Sequence, residues 1–223
     1  MANLKNIRSQ IKSVTSIQKV TKAMKMVAAA KLRKSQKNME KARPYSERLK
    51  NLIADLLPDV DRSLMPLLEK HSENTKIGFV IVTGDRGLAG SFNTNIIKKA
   101  EREIAKVGKK NAKLFCIGKK GYEHFAKRDY SIINHYKDFW MSLNYNQAMN
   151  MGNDIISAYV NKQIDSVQVI YNYFKNVGSQ KLIHENLLPL DFEKNETTQN
   201  GDIIYEPSKI EIVKSLIPKY FNT

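Results

Sequence analysis

Residues 17–36, IQKVTKAMKMVAAAKLRKSQ, decide how the rest of the chain is read. Ala, Met, Lys, Leu and Gln are strong helix formers, and the stretch has no glycine or proline, so a helix is predicted. That helix is basic almost all round. Leu4, Ile7, Ile11 and Val14 lead into it with the three–four spacing of an apolar helical stripe. Ile17, Val20, Met24 and Val27 repeat the spacing after a slip of one residue, because Gln18 holds the next strict heptad place. Such a pattern suits a supercoiled contact with a local change of winding at the slip.

The stripe thins to Leu32 and Met39, then thickens at Leu49, Leu52, Ile53, Leu56 and Leu57. Pro44 predicts a bend rather than two unrelated helices. About 53 helical residues span roughly 80 Å, more than the diameter of any core the remaining residues can build. Much of this helix must therefore be packed by something else.

The chain of 223 residues carries a net charge of +15. Residues 1–50 hold ten Lys and four Arg against Glu40 and Glu47, so this segment accounts for +12. Charge this lopsided points to an acidic partner or a solvated face. Hydrophobic residues make up 42%, enough for a real core. The single cysteine, Cys116, lies in the apolar run KLFCIG and reads as a buried thiol in a reducing compartment. No run approaches the roughly 18 apolar residues of a membrane span, and the amino terminus lacks a signal-peptide core.

Four segments are predicted: a basic helix over 1–57, a junction over 58–76 with a short helix near Leu64–Glu69, an α/β domain over 77–207, and a helical segment over 208–223. Within the domain, IGFVIV (77–82) reads as a strand and TGDRGLAGSFN as the turn after it. A helix over 95–107, the strand KLFCIG, the short helix KKGYEHFAKR and the edge strand YSIINHY follow. Another helix falls within Leu143–Val160, with Met149, Ile155, Ile156 and Tyr159 as core candidates. SVQVIYNYF and QKLIHENLLPL alternate as an antiparallel pair across KNVGS. A polar loop, DFEKNETTQNGD, leads to the strand IIYE, and Ser208 caps the last helix. Alternating strands and helices define a Rossmann-like α/β domain with a mixed sheet.

Gly84, Gly87 and Gly90 form GxxGxxG, which is neither the dinucleotide GxGxxG nor a P-loop, so a plain strand-to-helix turn is the cheaper reading. Asp85 and Arg86 are left free to pair, cap or face a partner. His71, His124, His135 and His184 are scattered without metal-ligand spacing. No catalytic residue, cofactor site or metal site is expected. The basic helix has three readings: a nucleic-acid surface, a rod inside an acidic or polar protein cavity, or a solvated face. Against nucleic acid, no aromatic residue precedes Tyr45 to stack on a base.

The block IRSQIKSVTSIQKVTKAMKMVAAAKLRKSQ, then RPYSERL, then IVTGDRGLAGSFN, resembles the gamma subunit of the rotary ATP synthase, with LLPL and YEPS as later landmarks. The resemblance covers residues 1–221. It implies a non-catalytic central-stalk rotor, whose amino-terminal helix pairs antiparallel with a carboxy-terminal helix inside a hexamer of alpha and beta subunits. It also implies an epsilon subunit and a membrane c-ring as further partners. Placement would be peripheral, on the cytoplasmic face of the bacterial inner membrane. Carried residue by residue, Lys22, Met24 and Lys25 match the shaft segment near acidic beta-subunit loops, Arg8 and Lys12 the adjoining basic surface, and Tyr205 and Glu206 the foot that faces the ring. In the family a further long helix follows the IPKYF region, whereas this sequence stops at Thr223. The expectation is therefore weak stability for the long helix alone, and no normal coupled rotation in this form.

Overall fold

A computed structural model describes residues 3–71, 75–138, 140, 144–192 and 205–223. It resolves into two compact units, Met1–Arg48 and Leu49–Thr223.

The first unit belongs to helix α1, Leu4–Leu56, which runs on through Pro44. A proline there removes one ladder hydrogen bond and crowds the carbonyl four residues earlier, a cost of about 3 kcal/mol in an isolated helix. Between residues 3 and 48 no side chain is buried. The stripe predicted from spacing is present but open: Leu4 is 72% exposed and Met24 64%.

The second unit begins with the last turns of α1, where Leu49, Ile53, Ala54 and Leu56 are buried. The predicted helix at 64–69 does not form. A 3-10 turn at Leu57–Asp59 is followed by another at Arg62–Leu64 and a plain turn over 66–68; Asp61 caps the second, accepting from the Ser63 amide at 2.9 Å. Pro58 and Pro66 break the chain into short turns, and Val60, Met65 and Leu67 are buried.

Five strands then make one sheet in the order β3-β2-β1-β4-β5. They are β1 Ile77–Val82, β2 Ala112–Ile117, β3 Ile132–Tyr136, β4 Ser166–Asn176 and β5 Ser179–Leu188. The first four are mutually parallel, and β5 returns antiparallel on β4 as alternation predicted. Helices α2 Phe92–Val107, α3 Lys119–Ala126, α4 Tyr145–Val160 and α5 Lys209–Phe221 supply the connections and outer layers. α2 starts three residues before its predicted start.

The pleat sorts each strand between two cores. Phe79 and Ile81 of β1, with Leu114 and Cys116 of β2, face Ile96, Ala100 and Ile104 of α2 and Phe125 of α3. Val80 and Phe115 point the other way, toward the end of α1, Ile155 and Tyr159 of α4, and Val213 and Ile217 of α5. On α4, Ile155 and Tyr159 are buried as expected. Met149 and Ile156 are only half-buried, and Met151 takes the inner position.

Leu143, the first residue of the stretch expected to hold a helix, lies outside the described residues, as do most of the loop DFEKNETTQNGD and the first half of IIYE; the helix itself starts at Tyr145. Tyr205 and Glu206, the described half of IIYE, form a bend rather than a strand, immediately before Pro207.

Candidate partner-binding surface

Chemistry was sought first at the glycine turn after β1. Several of its polar groups are committed within the fold. The Gly84 amide donates to Asn93 Oδ1 at 2.8 Å, and Asn93 Nδ2 donates to the Arg86 carbonyl at 3.1 Å. Asp85, whose role the sequence left open, accepts from the Lys119 amide at 2.8 Å and so caps α3. Thr83 is buried and its hydroxyl accepts from the Gly121 amide at 2.8 Å. Gly118 allows this approach: at φ +99°, a Cβ there would lie 2.0 Å from the Thr83 carbonyl oxygen. The turn is a clasp between β1, α2 and α3.

Each histidine makes a structural contact. His71 stacks on Tyr159 with ring centroids 4.3 Å apart, and His135 stacks on Tyr122 at 4.0 Å. His124 Nε2 meets Glu101 Oε1 at 2.7 Å, and His184 Nε2 meets Gln168 Oε1 at 2.8 Å. Burial lowers the pKa of His184, outweighing the nearby Glu103 carboxylate. Among the described residues no three His, Cys, Asp or Glu side chains group as a metal site. Cys116 is fully buried, and burial pushes its thiol up to about 12, which leaves it unreactive.

What remains is surface. Arg8, Lys12, Lys22 and Lys25 are all exposed on α1. At about 100° per residue they fall on one side of the helix, within an arc of about 140°. Charge through Lys25 therefore keeps to one side of α1, and it spreads nearly all round, as the sequence suggested, from Lys31 onward. Met24 stands about 160° from Lys22, so the three shaft residues Lys22, Met24 and Lys25 do not share one face.

Tyr205 and Glu206 belong to the other unit. Tyr205 is half-buried against the core beside α5, with Lys209 Nζ 4.9 Å from its ring centroid, while Glu206 is exposed. Residues that sequence reasoning missed include Asp165, which ties the junction to the sheet. Its Oδ2 accepts from the Lys76 amide at 2.8 Å and the Thr75 amide at 3.1 Å. Nothing in the local pattern around IDSVQ signals this, because its partners lie about 90 residues away.

An α/β domain joined to a helix with no buried residue over its first 45 or so positions is the build of a subunit held by other chains. The comparisons agree. Residues 3–223 match the family model described as ATP synthase. The ATP synthase gamma chains of Prosthecochloris aestuarii and Chlorobium luteolum are each 44% identical, over 230 and 228 residues; both alignments cover all of this chain and 78% of the relative. The chain belongs to the ATP synthase gamma chain family. A chain in the structure titled central stalk/cring of the Tetrahymena thermophila mitochondrial ATP synthase has the same fold, with TM-score 0.64 at 22% identity, covering 91% of this chain and 90% of that one. The nucleic-acid reading of the basic helix has no such support.

Proposed function

We propose that this chain is a non-catalytic central-stalk rotor subunit of the proton-translocating ATP synthase, coupling rotation of a membrane ring to ATP synthesis or hydrolysis at sites carried by other subunits. The observation that supports it is α1: ten Lys and Arg and no acid through residue 39, with an apolar stripe left wholly uncovered. Uncovered apolar area on that scale is stable in water only when another surface buries it.

Its partners are alpha and beta subunits around α1, and an epsilon subunit and c-ring at the foot. Arg8, Lys12, Lys22 and Lys25 pair with acidic loops of the beta subunits, Met24 packs within the sheath, and Tyr205 and Glu206 face the ring and epsilon. None of these is catalytic; torque passes through packing and through charge pairs whose geometry changes as the shaft turns. No described helix is long and apolar enough to cross a membrane. In this reading membrane association is peripheral, through the complex and on the cytoplasmic face.

Pull-down of purified alpha and beta subunits tests this. Retention that weakens as salt rises supports the reading. Salt-sensitive DNA or RNA binding without retention of either subunit would replace it.

A further inference from the structure

The junction that joins α1 to β1 is strapped to the sheet domain by hydrogen bonds along its length. The Leu190 amide donates to the Leu67 carbonyl at 2.8 Å, and the Tyr159 hydroxyl of α4 donates to the Glu69 carbonyl. At the far end Asp165 Oδ2 accepts from the Thr75 and Lys76 amides and, at 3.3 Å, from the Thr75 hydroxyl. Those three bonds use one carboxylate oxygen. The other, Oδ1, lies 3.8 Å from His71 Nδ1.

The His71 side chain is only 10% exposed, and its Nδ1 is buried without a hydrogen-bond partner. Among the described residues no other histidine nitrogen is left in that state. Tyr159 stacks on the ring nearly parallel, at 13°. The gap to Asp165 is beyond hydrogen-bond reach, yet a shift of about 1 Å closes it. A neutral ring carries a proton at Nδ1 in only one of its two tautomers, whereas an imidazolium always does and is also drawn by charge. Room for that shift exists. A cavity of about 300 Å³ opens beside the pair, lined also by Lys70, Ser166, Gln168, Asn186 and Pro189.

The charges around the ring are mixed. Asp165 and Glu69 favour an imidazolium; Lys70 on the cavity wall and Lys76, whose amide Asp165 holds, oppose it. β4 and β5 present only the uncharged Ser166, Gln168 and Asn186 to the cavity. Burial, with Glu69 and Asp165 nearby, pushes the Tyr159 hydroxyl up to about 12, so it stays neutral. Burial works against the Asp165 carboxylate, but the Lys76 and Thr75 amides outweigh it and hold its pKa below the ordinary value. Asp165 is therefore an anion throughout the range in which histidines titrate.

We propose that His71 and Asp165 form a proton-operated latch on the junction: protonated, His71 closes on Asp165 and fastens the link between α1 and β1 to the sheet; neutral, it releases. The latch lies wholly within the unit Leu49–Thr223 and does not depend on what covers α1. A histidine that gains a partner on protonation tightens the structure as pH falls, so the hold strengthens on the acid side of the histidine range.

Backbone amide exchange followed by NMR on the full chain, at about pH 7.5 and about pH 5.5 and corrected for intrinsic rates, tests this. Thr75 and Lys76 report the latch. Phe79, in the middle of β1, reports opening of the whole sheet, so the ratio of protection removes acid effects shared by the domain. The expected result is a rise in that ratio of about tenfold or more at the lower pH. His71→Phe keeps a ring on Tyr159 but takes up no proton, and its ratio should be the same at both pH values. No rise in the parent, or an equal rise in His71→Phe, overturns the proposal. Nitrogen-15 shifts of the parent's His71 ring give a reading that needs no variant. At the lower pH both ring nitrogens should be protonated, with the Nδ1 proton held against exchange with water. A ring still neutral there, or an Nδ1 proton exchanging as freely as that of an exposed histidine, also overturns it.

Discussion

Gly118 carries a contact of the sheet domain that a single methyl group would break. Its backbone sits at φ +99° and its Cα lies against the Thr83 carbonyl, so Gly118→Ala meets both strain and a backbone clash. Loss of about 3 kcal/mol or more is expected, read as a fall in the denaturant midpoint of the sheet domain. A midpoint within error of the parent would contradict the clasp geometry. Glu103 gives a pH signature. Hydrogen bonds from Lys106 and Lys99 hold its carboxyl at about 2 despite burial. A carboxyl depressed on folding stabilises above its unfolded value and loses that contribution as pH falls, here between about 4.5 and 2. His184, whose pKa burial also lowers, acts in the same direction, beginning below its ordinary value of about 6.5. Stability should therefore fall on acidification, and Glu103→Gln should flatten the slope below pH 4.5 in denaturant titrations at stepped pH. These contacts were invisible in the sequence, since a lysine three or four residues from a glutamate is commonplace on solvated helices. Only the fold shows that this one is 8% exposed.

At the scale of elements, legibility followed period and punctuation. Strands β1 and β2 were readable as short apolar runs, and β4–β5 from alternation across KNVGS. Ser208 was readable as a cap, and its side chain accepts from the Glu211 amide at 3.3 Å. Asn144 was not singled out, yet it forms a full capping box with Gln147. Ser208→Ala and Asn144→Ala should each cost about 1 kcal/mol of stability in urea titrations. The junction misled because its apolar residues look helical in spacing, while Pro58 and Pro66 confine them to single turns. Pro44 tests α1. Pro44→Ala restores a ladder hydrogen bond, so amide exchange over residues 40–48 should slow by at least tenfold. Exchange unchanged there would mean the proline is already accommodated at no cost.

For the whole molecule, composition was the clearest guide. Most of the net charge lies in the segment that the fold leaves without a buried residue. What was not drawn from the sequence was the division of that segment into faces: on the continuous helix the charge is one-sided through Lys25 and spreads round from Lys31. The partner-facing residues were legible only through resemblance, because charged and apolar side chains that meet another chain look like any solvated face until the partner is present.

The central claim is that α1 is covered by other polypeptides, and hydrogen exchange resolved by peptide, with and without alpha–beta hexamers, tests it most directly. On mixing, residues 4–39 should gain protection of a hundredfold or more, while β1, β2 and β4 exchange as before. Exchange over 4–39 that hexamers leave unaltered would contradict the account.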